Sequence, residues 1–417
     1  MTNLLRALES RNYRLFFGGQ CISLIGTWMT QVAAVWLVYQ LTNSALLLGI
    51  VGFSSQIPNF FVTPFSGILV DRWSRRNILI TTQVLSMVQS LALAALTLTK
   101  LITIEQLILL SLFQGLINAF DAPARQVFVN DIIENPSHLG NAIALNSSMF
   151  NGARLVGPAI AGLVIAGFGV GACFLIDGLS YIAVIAGLLA MQLKRKTLEI
   201  PQTNPWERLK EGFLYAYNFP PFRAIFLLLG LFSFAGMSYS VLIPIFAENI
   251  LKGNAQTLGY LMSASGIGAL IAGIYLSSRQ TILGLGKIIV GSLILFGISL
   301  MIFSQSRQLW LSLLMMFISG FNGILTVASI NTILQTISEP SKRGRLMSFY
   351  TMSFLGVLPF GNLAAGALAN RISAPYTLLL GGLICILGAL MFRQQLPTLR
   401  KYMRPLYAQL GLLPEAS

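Results

Sequence analysis

The sequence predicts an all-α membrane protein whose twelve transmembrane helices form two pseudo-symmetric six-helix bundles. Three observations support this fold class: the composition, the length of the apolar segments, and a repeat between the two halves of the chain. Hydrophobic residues make up 55% of the 417 residues and charged residues only 10%, whereas a soluble protein carries roughly 25% charged residues. Long, unbroken apolar segments favour membrane helices over the short alternating strands of a membrane β-barrel.

Twelve apolar segments follow one another along the chain, each long enough to cross a bilayer at roughly 20 residues per helix. They lie near 14–40, 45–70, 77–99, 105–128, 139–168, 170–193, 222–250, 256–278, 286–304, 309–335, 344–370 and 375–393. A charged stretch separates the sixth segment from the seventh. The predicted domains are an N-terminal six-helix bundle (1–193), a cytoplasmic linker (194–221), a C-terminal six-helix bundle (222–393) and a cytoplasmic tail (394–417).

The net charge of +14 reflects orientation in a membrane rather than binding to nucleic acid. If both termini are cytoplasmic, 22 of the 27 Lys and Arg residues fall on the cytoplasmic side, as the positive-inside rule predicts. The exceptions are Lys100, Lys252, Arg307 and Arg371 on the opposite side and Arg154 inside the fifth helix. We therefore expect a multi-pass protein of the plasma or inner membrane with cytoplasmic termini and no nucleic-acid partner.

The two halves of the chain share identical residues at a constant separation. The pairs are Asn118 with Asn322, Pro136 with Pro340, Gly140 with Gly344, Gly152 with Gly356, Gly157 with Gly361 and Gly162 with Gly366. Two parallel six-helix repeats imply a pseudo-two-fold axis along the membrane normal, which is the plan of one large group of secondary transporters.

A basic loop between the second and third segments reads GILVDRWSRR over residues 67–76. It resembles the G-x-x-x-D-R-x-G-R-R/K signature of the major facilitator superfamily, with Ser74 in place of the second glycine. A basic loop that only obeys the positive-inside rule is the alternative explanation. The resemblance implies a conformational latch formed by Asp71, Arg75 and Asp121, in which Arg75 bridges to Asp121 and the latch stabilises the outward-facing state. The candidate latch residues are Gly67, Asp71, Arg72, Arg75, Arg76 and Asp121.

The fifth helix carries the sequence NGARLVGPAIAG over residues 151–162. Its Gly-Pro-x-x-x-Gly ending resembles the antiporter motif of drug exporters in the same superfamily. Proline removes a backbone donor and glycine removes side-chain bulk, so this pattern bends a helix and permits close packing. An ordinary small-residue packing face is the alternative. The candidate motif residues are Gly152, Gly157, Pro158 and Gly162.

Further stretches are similar to one branch of that superfamily, which contains macrolide-efflux proteins and the enterobactin exporter. They read FDAPARQ (120–126), LGNAIALNS (139–147) and ARLVGP (153–158). The resemblance implies a secondary active transporter that exports drug-like or secondary-metabolite molecules, of macrolide or siderophore type, by proton antiport with alternating access. Two alternatives stay open: a lysophospholipid transporter or flippase of the same fold, and a non-transporting membrane sensor, against which the latch residues argue.

The sequence does not suggest an enzyme or a bound cofactor. It contains no Walker A pattern, and His138 is its single histidine, so neither direct use of ATP nor a multi-histidine metal site is expected. We expect no cofactor or metal, an ion gradient (H+) as the energy source, the lipid bilayer and a small-molecule substrate as partners, and a monomer, because twelve helices in two halves form a complete transport path.

Two charged residues lie within predicted membrane helices, where a charge costs on the order of 2.5–3.5 kcal/mol on insertion scales. Arg154 lies near the middle of the fifth helix and Asp177 in the sixth. An extended Arg154 side chain can reach Asp177 from an adjacent helix. Asp177 is then a candidate proton carrier whose titration Arg154 modulates, and a static ion pair between the helices is the alternative.

Polar and aromatic residues on the first, fourth, seventh and tenth helices are candidates for the wall of a substrate cavity. They are Trp28, Gln31, Asn118, Tyr239 and Asn322. A few hydrogen-bonding groups in an aromatic wall suit a large amphipathic ligand. Hydrogen bonding between helices is the alternative for each of them, and Trp28 can equally face lipid.

Overall fold

The computed structural model describes residues 3–62, 66, 73–192, 214–279, 281–339 and 342–409. Within these ranges every regular element is helical, and twelve helices are long and apolar enough to cross a membrane, which confirms the predicted fold class. The first six are α1 (Arg11–Thr42), α2 (Ala45–Val62), α3 (Arg75–Leu98), α4 (Ile104–Ile132), α5 (Leu139–Phe168) and α6 (Val170–Ala190). The second six are α7 (Pro220–Ile250), α8 (Ala255–Ser277), α9 (Leu285–Gln305), α10 (Leu309–Ile337), α11 (Arg343–Ile372) and α12 (Ala374–Ala408).

The chain divides into two compact units. Unit 1 comprises Met1–Gln202 and Pro244–Ser263, and unit 2 comprises Thr203–Ile243 and Ala264–Ser417. Unit 1 thus contains α1 to α6 and the adjoining ends of α7 and α8. The predicted domain boundaries at 193 and 222 stay predictions.

In unit 1, α1 packs against both α5 and α6, and α3 packs against both α4 and α6. Small residues allow these close approaches. A Cβ on Gly19 of α1 would lie 3.0 Å from the Val184 Cα, and one on Gly187 of α6 would lie 2.9 Å from the Leu15 carbonyl oxygen. Because lipid gives no hydrophobic drive between helices, this close backbone contact is a main source of their association.

The ends of α7 and α8 that belong to unit 1 are held by specific contacts. The Asn249 side-chain amide donates to the Tyr39 hydroxyl at 2.5 Å, and the Ser263 hydroxyl donates to the Leu155 carbonyl at 3.0 Å. These bonds tie α7 to α1 and α8 to α5 within the unit.

The turns that follow α1, α3, α5, α7 and α11 each contain one residue with a positive φ, between 48° and 82°, which reverses the chain directly after a helix. These residues are Asn43, Lys100, Gly169, Lys252 and Ser373. Thr103, which follows one of these turns, caps α4 through a reciprocal pair of hydrogen bonds with Gln106.

Helix α7 departs from regular α-helical hydrogen bonding over most of its length. It contains π-helical turns at Phe232–Gly236 and Phe246–Ile250, with a 3-10 segment at Met237–Leu242 between them. Such irregular turns inside a membrane helix occur frequently at functional positions.

In unit 2, α9 packs against α10 and α12. A pair of glycines brings α8 and α10 into backbone contact: Gly320 faces the Ser265 backbone and Gly268 faces the Phe317 backbone. Helix α12 continues past the apolar part of its sequence, and Tyr402 there packs edge-on against Phe219, with ring centroids 6.3 Å apart. Much of the predicted tail is therefore an ordered extension of α12.

Candidate functional site

Asp177 lies at a point where three helices of unit 1 meet. Its side chain belongs to α6 and the residue is only 1% exposed. One carboxylate oxygen, Oδ2, accepts hydrogen bonds from Thr30 of α1 at 2.9 Å and from Ser90 of α3 at 2.6 Å. Gly26 of α1 makes room for it, because a Cβ there would lie 2.7 Å from the other oxygen, Oδ1. The described residues therefore bury this carboxylate with only one of its two oxygens hydrogen-bonded.

The predicted pair between Arg154 and Asp177 does not form. Helix α1 explains why, because it packs against both helices that carry these residues. Its Gly26 and Thr30 face Asp177, whereas its Trp28 points to α5, where the Arg154 guanidinium lies 5.9 Å from the Trp28 ring centroid. Arg154 therefore makes a cation–π contact with Trp28 instead of the predicted ion pair with Asp177.

Three of the four residues of the α5 motif lie in close contact with neighbouring helices. A Cβ on Gly157 would lie 2.5 Å from the Trp28 Cβ, and one on Gly162 would lie 2.9 Å from the Ala255 carbonyl oxygen. A Cβ on Gly259 of α8 would lie 2.6 Å from the Pro158 carbonyl oxygen. Gly152 differs, since no described atom lies within 4 Å of the corresponding position. Gly157, Pro158 and Gly162 therefore form a close-packing face.

Asp121 lies in a second buried polar cluster, between α3 and α4. The residue is 3% exposed, and its Oδ1 accepts hydrogen bonds from Thr82 and Gln83 of α3, each at 2.8 Å. Its Oδ2 forms an ion pair with Arg125, one turn further along α4. The Arg125 guanidinium also donates to Gln20 of α1 at 3.4 Å.

The predicted pairing of Arg75 with Asp121 is wrong, because Arg75 pairs with Asp131 at 2.6 Å. The physical reason is the length of α4, which runs to Ile132, beyond the predicted end near 128. Asp131 then lies at the end of α4 that meets the start of α3, whereas Asp121 lies almost three turns deeper. Gly67, Asp71 and Arg72 lie outside the described residues.

Arg76 anchors the other side of the same loop. Its guanidinium donates two hydrogen bonds of 2.8 Å to the carbonyl oxygens of Leu188 and Leu189 at the C-terminus of α6. A cation at a helix C-terminus satisfies free carbonyl groups and interacts favourably with the helix dipole. Arg75 and Arg76 together tie the start of α3 to the ends of α4 and α6.

Comparison with known proteins decides the family. The model of the transmembrane secretion effector family, a branch of the major facilitator superfamily, matches residues 3–407. The chain belongs to this family. It is therefore a transporter and not an enzyme, and its helices place it in a membrane as a multi-pass protein.

Relatives of this chain include transport proteins whose names give different cargo. A staphyloferrin A transporter of Staphylococcus aureus is 26% identical over 89% of this chain and 94% of its own length. Macrolide efflux protein A of Streptococcus pyogenes is 22% identical over 90% of this chain and 95% of its own length. A crystal structure of the nucleoside transporter NupG shares the fold, with a TM-score of 0.72 at 15% identity, over 95% of this chain and 99% of that chain.

The five predicted cavity residues of the transporter fall into the two units. In unit 1, Gln31 is exposed, Trp28 and Asn118 are half-buried, and Asn118 accepts a hydrogen bond from Gln114 at 3.1 Å. In unit 2, Tyr239 is hydrogen-bonded to Ser265 at 3.2 Å, and Asn322 donates to a carbonyl of its own helix at 2.9 Å. Of these bonds, the one between Tyr239 and Ser265 joins two helices, as the alternative explanation anticipated, whereas those of Asn118 and Asn322 lie within a single helix. The cavity role stays a prediction.

Sequence reasoning missed three features of the site. Asp131 was overlooked because the fourth segment was ended too early. Arg125 was assigned to the cytoplasmic loops, although its spacing of four residues from Asp121 predicts a pair on one helix face. The hydroxyl partners of Asp177, Thr30 and Ser90, carry no sequence signal, because they come from helices far apart in the chain.

The partner of Arg75 can be tested by charge exchange. Asp131→Asn is expected to lower the free energy of unfolding by about 1 kcal/mol, since both side chains of the pair are about one-fifth exposed. The double variant Arg75→Asp/Asp131→Arg is expected to recover most of that loss in thermal unfolding of the purified protein. Recovery in Arg75→Asp/Asp121→Arg instead would support the pairing with Asp121.

Proposed function

We propose that this transporter exports small amphipathic molecules, of macrolide or siderophore type, in exchange for protons, and that Asp177 carries the proton. The observation that carries the proposal is the environment of Asp177, an acid buried within the membrane whose described hydrogen-bond partners are the neutral hydroxyl groups of Thr30 and Ser90. An ionisable group at this depth is expensive and marks an ion or proton pathway more often than a packing position.

The chemistry of these partners suits a reversible proton carrier. A hydroxyl group donates to an ionised carboxylate and accepts from a protonated one, so Thr30 and Ser90 accommodate both states. An arginine partner would instead favour the ionised state alone. The contact of Arg154 with Trp28 instead of Asp177 thus supports proton carriage by Asp177 rather than a static ion pair.

The cargo class is inferred from the relatives and from one surface of unit 1. Trp28 and Phe150 pack edge-on at 5.8 Å, and the Arg154 guanidinium lies over the Trp28 ring. Aromatic surface beside a cation suits a molecule that combines an apolar body with carboxylate or hydroxyl groups. Relatives named for staphyloferrin A and for macrolides support a small-molecule cargo.

We further propose that the transporter lies in the plasma or inner membrane with both termini in the cytoplasm, and that it works as a monomer without a cofactor. The distribution of Lys and Arg supports the orientation. The even number of candidate membrane helices in the described residues supports placing both termini on one side.

Efflux measurements test the proton-carrying role. Cells that lack their own exporters would be loaded with ethidium, erythromycin or staphyloferrin A, and efflux would be followed with and without a protonophore. Wild-type export is expected to be protonophore-sensitive. Asp177→Asn is expected to abolish concentrative export while the protein remains folded and inserted, because the amide cannot exchange a proton.

Ser180→Ala provides a matched control, since Ser180 lies on the same helix and its hydroxyl donates only to the Asp177 backbone carbonyl. It is expected to export normally. Concentrative export by Asp177→Asn would exclude the coupling role. If none of the three compounds is exported by well-expressed wild type, the proposed cargo class is wrong, and a lysophospholipid flip assay would test the lipid alternative.

A further inference from the structure

A groove in unit 2 lies between the ends of α9, α10 and α12. Its volume is about 380 Å³. The residues that line it are Met301, Ile302, Gln305, Ser306, Leu311 and Leu379. Four of these six side chains are apolar, and the two polar ones, Gln305 and Ser306, lie where α9 ends. The groove therefore has an apolar interior and one polar end.

Close packing of α9 against α12 closes the apolar end of the groove. A Cβ on Gly297 would lie 2.5 Å from the Gly382 carbonyl oxygen, and one on Gly382 would lie 2.6 Å from the Gly297 carbonyl oxygen. Met301 and Leu379 lie about one turn from this contact. From Met301 to Ser306 the groove runs about 8 Å along the axis of α9, toward the turn that joins α9 to α10.

Exposed apolar and aromatic side chains surround the groove. Ile302, which lines it, is 40% exposed, as is Ile298 one turn earlier on α9. Trp310 and Tyr376, in the first turns of α10 and α12, are 64% and 62% exposed. Trp and Tyr concentrate where a membrane helix meets the headgroup region. The groove therefore begins at the membrane interface and runs into the surface that contacts lipid.

Two arginines lie in the turns at the polar end of the groove. Arg307 directly follows Ser306, and Arg371 lies in the last turn of α11, just before α12 begins. Both are exposed, and neither forms an ion pair within the part of the chain that the structure describes. With cytoplasmic termini, both lie on the opposite side of the membrane, where the positive-inside rule does not account for them.

The sequence around the groove supplies no acid to neutralise these two charges. It contains no Asp or Glu between Glu248 and Glu339, or between Glu339 and Glu415. Glu339 follows the far end of α10 and pairs with Lys342 there at 2.9 Å. Arginine binds phosphate through paired, charge-assisted hydrogen bonds. A phosphate group in the headgroup region therefore complements the charge at this end of the groove.

We propose that the groove binds an anionic phospholipid of the bilayer, with an acyl chain between α9, α10 and α12 and the phosphate held by Arg307 and Arg371. The exposed amide of Gln305 lies between these two parts and can donate to an ester oxygen of the lipid. Every phospholipid supplies an acyl chain, so the two arginines select the lipid by the charge of its headgroup.

Native mass spectrometry of the purified transporter measures this preference. The protein in detergent would be titrated with dioleoylphosphatidylglycerol, which is anionic, or with zwitterionic dioleoylphosphatidylcholine, and the affinity of the first bound lipid compared. One cation at a membrane surface favours an anionic lipid about fivefold. Wild type is therefore expected to bind phosphatidylglycerol about 25-fold more tightly, and Arg307→Gln/Arg371→Gln to bind the two lipids about equally.

Two matched comparisons test the two parts of the site. Ile302→Trp fills the groove and is expected to weaken the binding of both lipids by about tenfold, because the acyl chain loses buried surface. Ile298→Trp, equally exposed but outside the groove, is expected to bind like wild type. Lys100→Gln removes an exposed cation from a turn of unit 1 and is expected to keep the preference. All these positions are exposed, so the variants keep the fold.

Each contrary result overturns the proposal in a different way. Equal affinity of wild type for the two lipids, or a preference that persists in Arg307→Gln/Arg371→Gln, would exclude selection by the arginines. Unchanged binding in Ile302→Trp would exclude the groove as the acyl-chain site. Loss of the preference in millimolar inorganic phosphate would indicate an anion site alone. A dimer that Ile302→Trp dissociates would show that a second copy of the chain covers the groove.

Discussion

Asp121→Asn is expected to destabilise the transporter by about 3 kcal/mol, because it leaves Arg125 without its counter-ion inside unit 1. The Asn oxygen still accepts from Thr82 and Gln83, but the amide nitrogen then faces the guanidinium. The cost of an uncompensated buried charge is about 3–5 kcal/mol, and the lower value applies because 31% of the Arg125 side chain is exposed. Thermal unfolding of purified protein in one detergent measures this effect.

Removal of both charges should reverse most of the loss. Asp121→Asn/Arg125→Met has no buried ion, and replacing a whole buried pair with neutral groups is often nearly neutral for stability. An equal or larger loss in the double variant than in Asp121→Asn would show that the charge of Arg125 is compensated elsewhere.

Gly320→Ala is expected to lower the yield of folded protein severely, although it adds only one methyl group. Its Cβ would lie 2.6 Å from the Ser265 carbonyl carbon and 2.7 Å from its Cα, and backbone atoms cannot rotate away. The two helices α8 and α10 must then separate, which costs about 1–3 kcal/mol for an overpacked contact and removes the close approach between them.

Gly323→Ala is the matched control, one turn further along α10. The nearest atoms to its Cβ belong to the Phe296 ring at 3.4 Å, an ordinary contact distance. This variant is expected to fold at least as well as the wild type, because Ala has a higher helix propensity than Gly by up to about 1 kcal/mol. Size-exclusion chromatography of both variants at equal expression compares their folded yields. Similar yields would contradict the close contact between α8 and α10.

The fold could be predicted from the sequence because it depends on properties that every residue of a segment shares. A membrane helix needs about 20 apolar residues, and each of the twelve segments satisfies this requirement without any knowledge of its neighbours. The glycines of α5 were recognisable as candidate packing residues because their small size is visible in the sequence. Only the structure shows that Gly157 is in close contact with another helix and that Gly152 is not.

The site was harder to predict because it depends on which face of each helix meets which neighbour. Asp177 and Arg154 were recognised as charges within the membrane, but their pairing was wrong since α1 packs against both of their helices. Arg75 was paired with the wrong aspartate because a difference of a few residues in the end of α4 decides which acid reaches it. Rotation and helix length are set by packing, which the sequence pattern does not specify.

The ion pair of Asp121 and Arg125 in α4 bears on how the two six-helix repeats of the chain diverged. Counted from the matched residues Asn118 and Asn322, Asp121 and Arg125 correspond to Leu325 and Ser329 of α10, which are also buried. One copy of the repeat thus holds both charges and the other holds neither. A copy with a single charge would have carried an unneutralised ion inside the membrane. The two positions are therefore expected to change together when a duplicated bundle diverges.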